Sequence, residues 1–464
     1  MDRITGRRVS RSRARRVILL LFRVGAAAGV VVDLDTPAMR SARSPRPRLA
    51  AVTALTVLLA LGAPATAVGT TALTTTSGGT AARTAVGAAE RDGHRRAYVN
   101  SAAPGRGKAR DIRRIAERAQ AASGLKSVIL RVTLGGRELI TTALGESMTG
   151  VPARPAMHFR NGNVAISYMG TALLRLVDQG RVRLDDPVAR WLPHLQDGKR
   201  ITLRMLASST TGLADYVTAP GFARTVAANP FRRWTAQELV DVSTSRARWY
   251  RPGTNWNYSH ANFVLLGAAL EKITGTRLDV LLQREVMGPL GLRETRNSFT
   301  PEIPEPVLHA FTSDRGTYEE STFWNPSWTT APGAVQTTDI CDLARSATGI
   351  GSGALLSAGA YRELLDPGTV GLGRPTRACP APICLANTGK THYGMGVLVL
   401  GDWVAQHPLF FGYSASQAYL PDQDLAIAVA TTQGPASPDG HTAHAIVQRI
   451  AAALTPDHPI PNYP

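Results

Sequence analysis

The chain has 464 residues, 44% of them apolar and 19% charged, with a formal net charge of +18. That apolar content is enough for a real core, and the length fits one large domain or two to three ordinary ones. The charge does not argue for nucleic-acid binding: most of the excess arginine precedes residue 109, in runs such as Arg7-Arg8 and Arg11 to Arg16, and no aromatic residues interleave with a basic stripe to stack bases.

Residues 1–67 read as an N-terminal extension and signal peptide. Arg40, Arg43, Arg46 and Arg48 precede the apolar run LAAVTALTVLLALG, which ends in the small-residue exit Ala65-Thr66-Ala67. This anatomy places the biological start at Met39, with a long N-terminal membrane anchor as the alternative; the earlier apolar run, VILLLFRVGAAAGVVV, is short and broken by Arg23. The expectation is a secreted, extracytoplasmic protein with no stable membrane span after cleavage. Residues 68–108 are Thr, Ala, Gly and Arg with almost no large apolar side chain, so burial there cannot offset the entropy of ordering, and a disordered linker is expected. A folded unit over 109–455 and a tail over 456–464 follow.

Within that unit DIRRIAERAQAAS spaces Ile112, Ile115 and Ala119 as a helix. VILRVTL and RELITTAL, joined by Gly135-Gly136, predict a tight hairpin. From His158 to Pro187 a glycine turn at Gly162 feeds an apolar-periodic helix carrying Met169, Leu173, Leu174, Leu176 and Val177. Gly180 closes it, and Asp185-Asp186-Pro187 reads as a solvated stop. Ile201 to Leu206 leads into SSTTGLADY, and helices are predicted at Asn262 to Ile273 and Leu278 to Met287. The last third returns to strands, GMGVLVL, SASQAYL and DLAIAVATT, the latter two joined at Pro421-Asp422-Gln423, before a helix from His441 to Leu454. Sheet, helical block, sheet and helix in that order predict one α+β unit: a mainly antiparallel sheet flanked by helices, with an all-α subdomain inserted at about 168–330. Cys379 and Cys384 lie close enough for a local disulfide, leaving Cys341 as a buried thiol; three unbridged cysteines are the alternative.

Several segments together resemble the serine β-lactamase and penicillin-binding-protein superfamily, in its class C and DD-carboxypeptidase-like branch. They are LGESMTGVPARPAMHFRNGN, LLRLVDQGRVRLDDPVARWLP, ITLRMLASSTTGLADY, RPGTNWNYSHANFVLLGAALEKITG, PLGLRET and GAVQTTDICDLARSATGIGSGALLS, in the family's order from about 110 to 455. The resemblance implies a β-lactamase/transpeptidase-like fold and acyl transfer to a serine through three elements. The first is Ser-x-x-Lys at the start of the central helix, where spacing by three lets the amine take the hydroxyl proton. This chain has Asn163 in the serine place and Ile166 in the lysine place; an amide is a poor nucleophile, and isoleucine moves no proton. The second, Tyr-x-Asn, is Tyr258-Ser259-His260, which keeps the tyrosine and loses the asparagine. The third is a histidine or lysine followed by small residues on the strand bordering the site. Here it is QHPLFFGYS, with His407 or Gln406 in the basic place, and Pro408, Leu409, Phe410 and Phe411 replacing small residues.

The expected site is therefore Tyr258 with the degenerate positions Asn163, Ile166, His260 and His407, and a substrate cleft at Ser209, Gly412 and Tyr413. Ser167, which follows Ile166 immediately, is turned about 100° around the helix from the lysine place and reads as packing or capping. Trp249, Tyr250, Trp256, Tyr258, Phe323, Trp324 and Trp328 flank the cleft in two clusters, as core packing or as a retained hydrophobic pocket. His441 and His444 have ligand-like spacing but no evident third ligand, so neither a metal nor a cofactor is expected. The resulting function is a non-catalytic cell-envelope binder or regulator of a peptide or peptidoglycan fragment, monomeric. The alternatives are an active serine hydrolase (β-lactamase, DD-carboxypeptidase or esterase) with an unidentified nucleophile, and a structural envelope protein.

Overall fold

A computed structural model describes residues 107–463. The signal segment, nearly all of the 68–108 linker and the last residue of the tail lie outside the described residues. Helix Lys108–Ala122 starts three residues before the predicted Asp111 and buries Ile112, Ala116 and Ala119. The hairpin forms as predicted: strands Ser127–Leu134 and Arg137–Met148 pair antiparallel with Leu134 opposite Arg137. Its turn needs glycine twice, because Gly135 and Gly136 sit at φ 57° and 70°.

The hairpin is part of a nine-stranded sheet. Strand Ser127–Leu134 pairs with Leu425–Thr432, which pairs in turn with Tyr413–Leu420; beyond lie Trp403–Gln406, Leu398–Leu400 and Thr391–Tyr393, all antiparallel. Every residue of Tyr413–Leu420 and Leu425–Thr432 is buried, which requires cover on both faces. Alternation along the strand shows what supplies it. Ser414 and Ser416 turn toward helix Thr442–Leu454, bonding Ala443 N and His444 Nδ1. Tyr419 turns the other way, onto Gly351 in helix Ile340–Gly351, where an added Cβ would lie 2.5 Å from the tyrosine.

The central helix runs Val164–Asp178 and buries nearly its whole circumference, consistent with a position between the sheet and the inserted helices. Helices dominate the insertion, among them Ala236–Thr244 and His260–Thr274, and short strands at Arg296–Ser298, Phe311–Thr312 and Glu319–Glu320 also lie in it. The exit of the central helix corrects one expectation. Asp186 is 4% exposed rather than solvated. Its carboxylate accepts from Arg183 N at 2.8 Å and pairs with Arg190, while Asp185 pairs with Arg204 at 2.9 Å. The reason is the chain's return: Leu203 and Arg204 donate backbone bonds to Asp186 and Leu184, closing the turn over the aspartate.

Cys379 and Cys384 are bonded to each other, and the buried Cys341 sulfur accepts from Arg131 at 3.3 Å. Among the described residues no helix is long and apolar enough to cross a membrane.

Candidate functional site

The turn before the central helix is tight. Gly162 sits at φ 52°, and a Cβ there would come 2.6 Å from the Pro408 ring, so Pro408 roofs the turn and only glycine fits beneath it. Asn163 follows as the residue before the helix, and its side chain faces loop 258–260. Asn163 Nδ2 lies 3.2 Å from Tyr258 Oη and 3.3 Å from His260 Nε2. Behind His260, Nδ1 meets Asp215 Oδ2 at 2.9 Å, and Asp215 also accepts from the backbone N–H groups of Val217 and His260. A carboxylate only accepts, so Nδ1 donates to Asp215, and Nε2 faces the asparagine amide. The result is a continuous polar chain, Asp215 to His260 to Asn163 to Tyr258.

Ile166 takes no part. It is fully buried, and a Cβ on Gly396 would lie 2.4 Å from its carbonyl oxygen, so the neighbouring loop leaves no slack. Ser167 is committed as expected: it is buried, and Oγ donates to Val164 O at 2.6 Å.

In front of the polar chain a cavity of about 120 Å³ remains open. Asn163, Tyr258 and His260 line it. Gln406, His407, Pro408 and Leu409 also line it, so both candidates for the basic place of the third element reach it. Trp256, Tyr393, Tyr463, Leu385, Leu398 and His441 complete the lining. Phe410 and Phe411 do not fill it. They pack on the second aromatic cluster, with ring centroids 6.1 Å from Trp328 and 4.9 Å from Trp324 respectively.

Three predicted substrate residues, Ser209, Gly412 and Tyr413, each have structural contacts outside the cavity lining. Ser209 Oγ donates to Asn257 O at 2.9 Å and accepts from Ser259 N at 3.1 Å and Asn262 Nδ2 at 2.8 Å; it pins the loop that carries Tyr258. Tyr413 donates to Leu308 O at 2.6 Å. Gly412, at φ 84°, lets the chain pass Phe311, whose carbonyl oxygen would lie 2.2 Å from an added Cβ. Gly412→Ala is accordingly expected to cost about 3 kcal/mol or more in a denaturant titration, from strain plus overlap. A substrate-contacting glycine without that structural duty would leave the unfolding midpoint unchanged.

Tyr258 is where the sequence placed it, but burial, with Asp215 nearby, holds its phenol well above the ordinary range. It stays protonated and serves as a hydrogen-bonding wall. The sequence offered no signal for Tyr393, Tyr463 or Leu385, which arrive from distant segments. It also offered none for the third histidine beside His441 and His444: His407 Nδ1 lies 3.2 Å from His441 Nδ1, and the His407 and His444 rings are 4.3 Å apart. Burial pushes all three imidazoles below their ordinary range, to about 4 for His441 and about 3 for His444. The rings meet by their edges and faces, and among the described residues no group of three His, Cys, Asp or Glu side chains is disposed to hold a metal ion.

The family model described as Beta-lactamase matches residues 112–452. Similar proteins include Esterase EstB of Burkholderia gladioli, 32% identical over 168 residues, which are 32% of this chain and 41% of the esterase. D-alanyl-D-alanine-carboxypeptidase/endopeptidase AmpH of Escherichia coli K12 is 28% identical over 192 residues, 40% of this chain and 48% of that protein. The chain thus spans about half the length of the curated relatives it matches. Among solved structures, a D-stereospecific amidohydrolase from Streptomyces sp. superposes with a TM-score of 0.61 at 24% identity, covering 74% of this chain and 98% of that one. The D-amino acid amidase from Ochrobactrum anthropi SV3 superposes at 0.62 and 22% identity, covering 75% and 99%. At these identities the structures establish the fold.

Proposed function

This chain belongs to the Beta-lactamase family, and from that premise we propose that it is a non-catalytic member, exported to the cell envelope, that binds a ligand in the retained cleft. One observation carries the reading. The cavity at the family's serine turn is open, yet none of its lining residues is a serine, threonine, cysteine or lysine. Acyl transfer in this family needs a hydroxyl and a group to take its proton. Here Asn163 occupies the first place, tied to Tyr258 and His260, and Ile166 is sealed in the core at the second. The ligand proposed is a peptide or peptidoglycan fragment bound by a monomer, and export follows from the signal anatomy ending at Ala67.

The activities in the relatives' names, esterase and carboxypeptidase, keep a serine hydrolase as the rival reading. A fluorescent penicillin separates the two: no covalent label is expected on the folded protein, and stoichiometric labelling of a mapped residue overturns the non-catalytic reading. A thermal-shift screen with cell-wall peptides tests the binding half, since a ligand selective for the native state raises the melting temperature. For export, the N-terminus of the protein recovered from culture medium is expected to lie just after Ala67, and protein retained whole in the cytoplasm refutes it.

A further inference from the structure

We propose that the cleft takes an uncharged ligand: a carbonyl group, as in an amide or ester, joined to one aromatic ring or a branched apolar group of similar size. The inference rests on the reading of the chain as a non-catalytic binder and specifies what is bound.

Charge is the first argument. Among the described residues no lysine, arginine, aspartate or glutamate lines the cavity. The lining histidines 407 and 441 are held neutral by burial. An acidic side chain, Asp215, lies behind the lining residue His260, 2.9 Å from its Nδ1. A carboxylate entering this space would leave its hydration behind, meet no lysine or arginine and have Asp215 beyond the imidazole. An amide or ester meets neither penalty.

Hydrogen bonding is the second. Tyr393 lines the cavity, is 3% exposed, and its hydroxyl has no partner among the described residues. A buried polar group left in that state is costly, and native proteins rarely leave one without a role. Tyr258 Oη accepts from Asn163, which leaves its own hydrogen to give, and the two tyrosine rings are 5.9 Å apart. Both phenols stay protonated, because burial holds each well above its ordinary range. A carbonyl oxygen, which has two lone pairs and no hydrogen, can accept from a phenol on this wall.

Size is the third. Trp256 lies 5.5 Å from Tyr393 and 6.3 Å from Tyr463, ring to ring, and Leu385, Leu398 and Leu409 line the cavity with them. The volume of about 120 Å³ is close to that of a dry engineered cavity, roughly 150 Å³, that accepts benzene.

The test compares benzamide with benzoate on the folded protein near neutral pH, by isothermal titration and by tryptophan fluorescence. Saturable benzamide binding at least tenfold tighter than benzoate is expected. Tyr393→Phe is expected to weaken benzamide about fivefold, Leu398→Trp to abolish binding by filling the space, and Leu409→Lys to shift the preference toward benzoate. Circular dichroism confirms that each variant is folded. Tighter binding of benzoate by the unmodified protein overturns the inference and leaves the binder reading standing. Failure of both probes also overturns it, and the cell-wall peptide screen then decides the binder reading independently. A covalent penicillin adduct overturns that reading instead, whichever probe binds.

Discussion

The double variant Asn163→Ser/Ile166→Lys stays unlabelled by a fluorescent penicillin, hydrolyses esters no faster than background, and loses about 4 kcal/mol of stability. Restoring the family's two residue types does not restore their setting. Ile166 is fully buried, and its carbonyl and Cγ2 are pressed against the loop at Gly396. A lysine there buries an ammonium in space shaped for a butyl group, which costs about 3–5 kcal/mol unless the amine gives up its proton or the core opens to water. A serine at 163 forfeits the amide bonds to Tyr258 and His260, worth about 1 kcal/mol. Even with both groups in place, the third element lacks what an acyl group needs. Pro408 roofs the turn at Gly162 and offers no N–H toward the cleft. Urea titration and in-gel labelling check the two halves separately. Detectable acylation of the serine at 163 would show that the cleft is less altered than its geometry indicates, while an unchanged unfolding midpoint would show that Ile166 is not locked in the core.

What could be read from the sequence divides along a physical line. Elements held together by local rules were legible. Gly135-Gly136 demands left-handed backbone and received it, and the strands around Pro421 to Gln423 pair as expected. The central helix begins at Val164 because Gly162 turns the chain and an apolar period of 3.6 follows. The residue types at 163, 166 and 260 were legible as well: an asparagine, an isoleucine and a histidine stand where the resemblance implies a serine, a lysine and an asparagine. Features created by packing were not. Asp215 and His260 are 45 positions apart, and nothing in GLADY or YSHAN announces that one carboxylate orients one imidazole. Ser209 and Gly412 resembled cleft residues because of where they fall in the family's order, but a loop pin and a tight passage over Phe311 require the same small residues there. The cavity wall of Tyr393, Tyr463 and Leu385 is assembled from strand, tail and disulfide loop, a conjunction that only the folded chain makes.

The histidine cluster is the clearest case of chemistry made by packing, and it carries an expected pH effect. Acidification from pH 7 to about 4 is expected to cost the fold several kcal/mol through His407, His441 and His444. In the unfolded chain each imidazole titrates near 6.5. In the folded chain burial takes away the hydration that a charged ring needs, and His441 is pushed down to about 4 and His444 to about 3, with His407 also well below its ordinary range. His441 and His444 further disfavour charge on His407, whose Nδ1 is 3.2 Å from that of His441. A base whose folded pKa is depressed is protonated first in the unfolded state. The stability of the neutral cluster is therefore complete above about pH 6.5, falls as the pH drops through that value, and levels off only near 4 for His441 and 3 for His444. At about 1.4 kcal/mol per unit of displacement, His441 alone accounts for roughly 3 kcal/mol. Asp342 works in the opposite direction. Burial and the neighbouring Asp339 raise its carboxyl from 3.8 to about 6, so its protonation favours the fold as the pH drops from about 6 toward 3.8. The two effects separate by difference, because Asp342 is common to the unmodified protein and to a His441→Asn/His444→Gln variant. Between pH 6.5 and 4 the unmodified protein should lose stability more steeply by up to about two protons, near 1.4 kcal/mol per pH unit for each, as read from urea midpoints. Parallel pH profiles for the two proteins would mean that the rings already carry charge in the folded state and that the cluster is open to water.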